Sequence, residues 1–209
     1  YLSCQMLNEE GKPVGEWVDL VQNSNKWGET HNRKLALPKS EFTEAELESL
    51  GALNDDSDTV TIVNSEIWAE LEFPAGYTIR FKGNYFGSKI STVINLYNIT
   101  SDTDHKVSGN IMSLTYGNVF SDKTTIEHEY QYYGVFTNSS GLRHASDLKL
   151  PATKLAPYCY YYMFVGCSKL FDAYFDLPAS IVEEGSYRNM FTTCRQLEVA
   201  PRIFAERVG

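Results

Sequence analysis

The sequence predicts an α+β fold, in which a small β-rich domain precedes a short solenoid with a β-strand and a short helical turn in each repeat. Three observations predict it. A run of residues in the C-terminal half recurs at a constant spacing, apolar and polar residues alternate between residues 58 and 99, and a helix-start signature precedes that region. We therefore expect an N-terminal segment with one short helix (1–54), a β-rich domain (55–117) and the repeats (118–209).

The C-terminal half contains an internal repeat. The run Leu150-Pro151-Ala152-Thr153 recurs 27 positions later as Leu177-Pro178-Ala179-Ser180. So many identities at one spacing indicate repeats rather than chance. The same shift relates Tyr160 to Tyr187, Met163 to Met190, Phe164 to Phe191, Cys167 to Cys194, Leu170 to Leu197 and Ala173 to Ala200, and a fainter copy at a shift of 28 contributes Phe136, Ser139, Leu142 and Ala145.

Each repeat is expected to form one turn of the solenoid. The Leu-x-x-Ala stretch predicts a short strand, and the Leu-Pro corner ends it, because proline fixes its own φ and lacks an N–H donor. Tyr160, Met163 and Phe164 are spaced like one face of a helical turn. Stacking such turns about 4.8 Å apart would place Tyr160 inside and Cys167 over Cys194.

The central region reads as a β-sheet with one wet face. Residues 67–73 and 77–82 alternate between apolar and polar side chains, and Pro74-Ala75-Gly76 joins them as a turn. This pattern predicts a β-hairpin. Val60–Val63 and Val93–Leu96 are candidate neighbouring strands in the same sheet.

One helix is predicted in the N-terminal segment. Thr43 and Glu46 have the spacing of a capping box, and Phe42 is placed to pack against Leu47. Gly51 would end the helix.

Composition excludes some partner classes. The 27 acidic and 18 basic residues give a formal net charge of -9 and a pI near 4.9, which opposes binding to nucleic acid through its phosphates. No apolar run approaches the ~20 residues that a membrane span needs. Residues 1–4 lack the features of a signal peptide, which leaves open a signal peptide that has already been cleaved off. Leu2-Ser3-Cys4 weakly resembles a bacterial lipoprotein cleavage site.

No metal or cofactor is expected. The four cysteines, at 4, 159, 167 and 194, show no CxxC spacing and no neighbouring His, which excludes zinc and thioredoxin-type sites. Because stacked positions need favourable geometry for a bridge and buried free cysteine is a common small core residue, we expect free core thiols in preference to a Cys167–Cys194 disulfide. The acidic run Asn54-Asp55-Asp56-Ser57-Asp58 lacks the glycine and distal glutamate of an EF-hand, and Asp102-Thr103-Asp104-His105 reads as loop.

No catalytic constellation is predicted either. His128 and His144 have no Ser or Asp at triad-like positions that the sequence alone brings together. The carboxylates Glu70 and Glu72, and the adjacent Glu183 and Glu184, do not form pairs that would straddle a sugar.

The repeats resemble a known family. Leu150-Pro151-Ala152-Thr153, Cys159-Tyr160, Met163-Phe164 and Gly166-Cys167 are similar to the BspA-type leucine-rich repeats of surface proteins from Bacteroides-like bacteria. The resemblance covers residues 140–202 most closely. It implies a leucine-rich-repeat-like solenoid and a secreted or outer-surface location. It also implies that the protein has no catalytic residues and binds host matrix proteins, other cells or glycans.

Variable positions beside invariant ones mark candidate contacts. Next to the repeated leucines lie Arg143, Phe171 and Glu198, which we predict to face outward on the sheet. Tyr161 and Tyr162 have polar counterparts one repeat later, so we also predict them to be outward and available to stack on a ligand.

The functional hypothesis is a non-enzymatic surface or secreted protein that binds a host matrix protein, a cell-surface protein or a glycan. A structural spacer or cell-envelope component with no ligand of its own is the alternative. A polysaccharide-acting enzyme is the least favoured of the three.

Overall fold

A computed structural model describes residues 2–20, 30–41, 43–49, 53–54, 56–67, 74–83, 88–90, 93–95 and 98–208. The chain divides into two compact units. One consists mainly of the described residues of 3–80 and 89–95, and the other mainly of those of 81–88 and 96–208.

The first part of the chain is mostly strand. The elements are β1 (Leu2–Leu7), β2 (Pro13–Asp19), β3 (Thr30–Pro38), a 3-10 helix (Lys39–Glu41), α1 (Glu44–Ser49), β4 (Thr59–Ile67), β5 (Thr78–Gly83), β6 (Ser88–Ile90) and β7 (Val93–Asn95). Strands β1 and β2 pair antiparallel in the sheet order β2-β1-β5, β3 and β4 pair antiparallel over nine residue pairs, and β6 pairs with β7.

In the second unit the paired strands are parallel. The elements are β8 (His105–Asn110), α2 (Ser113–Tyr116), a 3-10 helix (Gly117–Val119), β9 (Leu142–Lys149), β10 (Asp176–Leu177), β11 (Ile181–Val182), β12 (Arg202–Ile203) and β13 (Arg207–Val208). The pairs are β8 with β9, β10 with β12 and β11 with β13, and isolated parallel bridges join His144 to Asp172 and Asp172 to Val199.

Three stretches of consecutive turns connect these strands. We call them the first (130–139), second (158–167) and third (185–194) turn segments. In the second, every other residue donates its N–H to the carbonyl three residues earlier within the segment, as Tyr161 does to Tyr158 and Met163 to Tyr160. The residues between them donate across to the third segment, as Tyr160 does to Ser186 and Phe164 to Met190. All the backbone donors of the second segment are thereby satisfied.

Left-handed residues recur every fourth position in these segments. Tyr158, Tyr162 and Gly166 have φ values of 55°, 59° and 77°. A bulky residue adopts such a φ rarely, so the surrounding structure must impose it. The equivalent positions are left-handed in all three segments: Tyr130, Gly134 and Asn138 in the first, and Gly185, Asn189 and Thr193 in the third.

The predicted α+β solenoid, with a strand and a helical turn in each repeat, is wrong. The described residues form small sheets and turns, with α1 (six residues) and α2 (four) as their α-helices. The Tyr160, Met163 and Phe164 spacing that predicted a helical turn belongs to the second turn segment instead. Every fourth residue has a left-handed φ, and alternate N–H groups donate hydrogen bonds to the neighbouring copy. The i to i−4 hydrogen bonds of a helix therefore do not form.

The repeat itself nevertheless brings equivalent residues together in the core. The rings of Phe136, Phe164 and Phe191 stack with centroids 5.3 Å apart at both steps. Tyr160 is buried between Tyr132 and Tyr187, as the sequence predicted for its side chain. Each offset-stacked pair of rings contributes about 0.5–1.5 kcal/mol to stability beyond the burial of the rings.

Some of the elements predicted for the first part of the chain are present in the structure. The helix predicted after Thr43 is confirmed as α1, and Leu47 donates its N–H to the Thr43 carbonyl. β4 contains the predicted strand Val60–Val63, and β7 begins at the predicted Val93. The prediction that they share a sheet with the hairpin strand β5 is wrong, because β4 pairs with β3 and β7 with β6, whereas β5 lies beside β1. The hairpin prediction places its first strand at 67–73, of which residues 68–73 are outside the described residues. Phe42, Gly51 and Leu96 are also outside them. The sequences of strands β1 to β3 show no periodicity from which these strands could be predicted.

Replacing Gly185 by alanine should destabilise the repeats. Gly185 has φ +62°, and an added Cβ would lie 2.3 Å from the Tyr158 ring, so both backbone strain and a clash result. We expect Gly185→Ala to lower the free energy of unfolding by about 1–3 kcal/mol, measured by urea denaturation. Gly109→Ala is the control, because its φ is +89° but nothing lies within 4 Å of the added Cβ. Equal losses for the two variants would contradict the predicted contact with Tyr158.

Candidate functional site

The predicted contact residues Arg143, Phe171 and Glu198 lie in one hydrogen-bonded row. The Phe171 N–H donates to the Arg143 carbonyl at 2.8 Å, and the Glu198 N–H donates to the Phe171 carbonyl at 2.9 Å. Phe171 is 41% exposed and Glu198 is exposed, while the Arg143 side chain is 43% exposed. Three positions that are far apart in sequence therefore form a continuous outward row.

Asp104 neutralises the basic end of this row. Its carboxylate contacts Arg143 Nε at 2.6 Å and Lys169 Nζ at 3.1 Å. The hydrogen bond from Arg143, followed by that from Lys169, lowers the pKa of Asp104. The sequence placed Asp104 in a loop, and the structure adds that it pairs two cations from neighbouring copies of the repeat.

A second carboxylate, Asp172, lies one residue along from Phe171. Its oxygens accept hydrogen bonds from His144 Nδ1 and from the Ser146 hydroxyl, and the Tyr174 N–H donates to Ser146 Oγ at 3.0 Å. Partial burial acts to raise the pKa of Asp172, but the hydrogen bonds from Ser146 and His144 outweigh it, and the net pKa is lowered. The cluster ties the row to the next exposed aromatic residue, Tyr174.

Tyr174 belongs to an aromatic and cationic group. The Arg202 guanidinium carbon lies 5.3 Å from the Tyr174 ring centroid and 5.6 Å from that of Phe204. Asp176 Oδ1 lies 2.6 Å from Arg202 Nη2, and this hydrogen bond raises the pKa of Arg202. Tyr174 and Phe204 are both 51% exposed. We refer to Arg143, Phe171, Tyr174, Glu198, Arg202 and Phe204 together as the exposed face.

Sequence reasoning missed Tyr174, Arg202 and Phe204. A usable signal existed, because Phe204 is the counterpart of the buried Leu177, 27 positions earlier, and Tyr174 has Pro201 as its counterpart. Aromatic residues that break the pattern of a repeat are candidates for contacts outside it.

The prediction that Tyr161 points outward is wrong. Tyr161 is 3% exposed, and its ring stacks on Tyr162 with centroids 4.0 Å apart and meets the Tyr133 ring edge-on. Its counterpart Arg188 suggested exposure, but the second turn segment packs its tyrosines against those of the first. Tyr162 is half-buried, so of the two it alone keeps an accessible surface.

The described residues hold two serine and histidine groupings, and neither is a catalytic pair. Ser146 and His144 both donate to Asp172, so the imidazole is not placed to take the proton of the hydroxyl. His105 Nε2 lies 3.2 Å from Ser139 Oγ, but Ser139 is fully buried and stands in the core position that cysteine holds in the later copies. A substrate cannot reach that hydroxyl.

The cysteines are free, as predicted, and they are not activated. Burial raises the pKa of Cys159 and of Cys167 to about 12, and that of Cys194 to about 11. Cys159 hydrogen-bonds Ser186 in the next copy, and the thiols of Cys167 and Cys194 each donate to a phenylalanine carbonyl of the preceding copy at 3.1 Å. These thiols act as small core side chains.

Within the described residues, no group of three or more His, Cys, Asp or Glu side chains could hold a metal ion. Asp56, Asp58, Asp102 and His105 are among these residues, whereas Asp55 lies outside the described residues. No described helix is long and apolar enough to cross a membrane.

Exposed apolar side chains are concentrated between residues 171 and 208. Nine large hydrophobic side chains are exposed in the described part of the chain, and six of them fall in this range. The six are Phe171, Tyr174, Val199, Ile203, Phe204 and Val208.

Comparison with protein-family models, with curated proteins and with solved structures finds no match to this chain. The resemblance to BspA-type repeats therefore stays a prediction from the sequence.

The buried thiols should resist modification in the folded protein. Because Cys159 and Cys167 have pKa values near 12, almost no thiolate forms at pH 8, and burial also blocks access. We expect Ellman's reagent to react with them orders of magnitude more slowly in the native protein than in 6 M guanidinium chloride. Mass spectrometry after timed alkylation would identify each thiol, and rapid native labelling of Cys159 or Cys167 would contradict this arrangement.

Proposed function

We propose that this chain is a non-enzymatic binding protein of the cell surface or the extracellular space, and that it recognises a protein or glycan partner through the exposed face. The observation that carries the proposal is the set of exposed aromatic rings held in register on a hydrogen-bonded backbone. Phe171 and Tyr174 lie in one copy of the repeat and Phe204 in the next. The N–H groups of Phe171 and Phe204 donate to backbone carbonyls of the preceding copy, and the Tyr174 N–H donates to Ser146 Oγ.

Aromatic side chains suit this task because they bring a large contact area with few rotatable bonds. Little conformational entropy is lost when such rings are buried by a partner, and they are enriched among the residues that dominate interface energetics. The rings of Tyr174 and Phe204 flank the Arg202 guanidinium, so ring faces and hydrogen-bond donors are presented side by side. Both glycans and protein surfaces are recognised by such combinations.

Both arginines of the exposed face are paired with carboxylates of the protein. Asp104 forms an ion pair with Arg143, and Asp176 forms one with Arg202. A face whose cations are already neutralised does not favour a polyanion, and the overall charge of -9 opposes one further. This supports a neutral or mixed-charge partner in preference to nucleic acid.

The surface location and the class of partner rest on the similarity of the repeats to BspA-type repeats. That similarity supports a host matrix protein, a cell-surface protein or a glycan as the ligand. The alternative, a spacer with no ligand of its own, makes no use of the exposed rings.

Removing the rings should remove binding. We expect Phe171→Ala and Tyr174→Ala each to weaken the affinity for the partner about tenfold or more, because truncating a central aromatic residue costs about 1.4 kcal/mol or more. The partner would first be identified with glycan arrays and matrix-protein panels, and affinities then measured by surface plasmon resonance. Val119→Ala is the matched control, since Val119 is also exposed but lies outside the exposed face.

A double variant Phe171→Ala, Tyr174→Ala that binds as tightly as the parent would exclude the exposed face as the site. Absence of binding to every member of both panels would favour the spacer.

A further inference from the structure

The imidazole of His144 lies beside Phe171 of the exposed face, and its two ring nitrogens are in different environments. Nδ1 is hydrogen-bonded to Asp172 Oδ2, whereas no hydrogen bond joins Nε2 to any residue that the structure describes. The His144 side chain is 53% exposed. Nε2 is therefore available to a ligand.

Asp172 determines which of these nitrogens carries the proton. Its carboxylate also accepts hydrogen bonds from the hydroxyl and the N–H of Ser146. Partial burial acts to raise the pKa of Asp172, but the hydrogen bonds from Ser146 and His144 lower it overall, so the carboxylate stays ionised. Since an ionised carboxylate can only accept hydrogen bonds, the neutral imidazole donates through Nδ1–H. Nε2 then holds a lone pair and acts as an acceptor.

Backbone pairing on both sides holds this acceptor next to an aromatic ring. Lys106 of β8 pairs in register with His144, and a parallel bridge joins His144 to Asp172 of the next copy. The centroids of the imidazole and the Phe171 ring are 6.4 Å apart, with an angle of 67° between the ring planes. A fixed acceptor and an aromatic side chain are thus presented side by side.

The cations around His144 are already paired. Lys106 Nζ lies 3.9 Å from the carboxylate of Asp147. Arg143 and Lys169 share the carboxylate of Asp104. These pairs leave no cation to bind an acidic ligand.

Two further carboxylates surround the imidazole. Among the described residues, neither Asp172 nor Glu198 forms an ion pair with a lysine or an arginine. Both would repel an anion, so the surroundings of His144 favour a neutral ligand.

The arrangement suits a sugar better than a protein surface. The Asp172 carboxylate lies between Phe171 and Tyr174 along the chain, and the Tyr174 N–H donates to Ser146 Oγ at 3.0 Å. The buried core of a protein interface is depleted of charged residues. A sugar alternates apolar C–H groups with polar groups over a short distance, as the rings and polar side chains do here.

We propose that the exposed face binds a glycan that contains N-acetylated sugars, and that His144 Nε2 accepts a hydrogen bond from an acetamido N–H while the acetyl methyl group packs on the Phe171 ring. An acetamido group places an obligate donor beside a methyl group, whereas a hydroxyl group can both donate and accept. This inference rests on the function proposed for the exposed face. Asp172 is a positioning residue in it.

The tautomer is tested first, in the whole chain without ligand. Imidazole ¹⁵N chemical shifts of histidine-labelled protein are measured at about pH 8, where histidine is mostly neutral. We expect Nδ1 of His144 to carry the proton and Nε2 to carry the lone pair. Asp172→Asn should reduce the share of this tautomer, because an amide can donate to Nδ1 as well as accept from it. Asp122→Asn, which removes an exposed carboxylate elsewhere, should leave the tautomer unchanged.

Binding is then measured by calorimetry with diacetylchitobiose as the probe and cellobiose as its matched control, which has hydroxyl groups in place of the acetamido groups. We expect diacetylchitobiose to bind more tightly. His144→Phe keeps a ring but removes the acceptor, and it should weaken binding about fivefold or more. Asp172→Asn should also weaken it.

The affinity of the parent protein for diacetylchitobiose should fall as the pH is lowered from about 8 to about 5, because protonation replaces the lone pair of Nε2 with a donor. His144→Phe should abolish this pH dependence. Loss of a purely structural contact would not produce this change in the pH profile.

A proton on Nε2 in the free protein would overturn the inference. So would cellobiose binding as tightly as diacetylchitobiose, undiminished binding by His144→Phe, or failure of diacetylchitobiose to bind. In each case the double variant Phe171→Ala, Tyr174→Ala, tested against other glycans and matrix proteins, decides separately whether the proposed function of the exposed face holds.

Discussion

The structure of the repeats depends on how the turn segments divide their backbone donors. One half of the N–H groups closes turns within a copy, and the other half reaches the carbonyls of the next copy. Buried backbone groups must be paired, so this division forces each copy to lie in register with its neighbour. The left-handed φ values at Tyr158, Tyr162 and Gly166 follow from it, because only such turns direct alternate N–H groups sideways.

Register then determines which side chains meet. Residues about one repeat apart become neighbours, so Asp172 receives His144 and Ser146, and Arg202 reaches Asp176. The exposed face is a product of the same register. Its rings keep their separation because each is attached to a hydrogen-bonded backbone and flanked by a buried ladder residue such as Ala173, and rigid presentation limits the entropy lost on binding.

The candidate site could be predicted only in part. The row of Arg143, Phe171 and Glu198 follows from the repeat period, since equivalent positions stack whatever the local backbone is. Tyr161 could not be placed in this way, because its burial comes from ring contacts with Tyr162 beside it and with Tyr133 of the preceding copy, which the repeat period does not show. The aromatic group around Arg202 required knowledge of how adjacent copies pair.

The sequence by itself determined the repeat period and the buried ladder through Tyr160 and Cys167. These depend on side-chain type and spacing, which the sequence displays directly. Only the tertiary structure decided that the stretch around Tyr160 to Phe164 forms turns. A spacing of three and four residues suits a helix as well as successive turns, and the choice was made by hydrogen bonds to another copy, which no local pattern encodes.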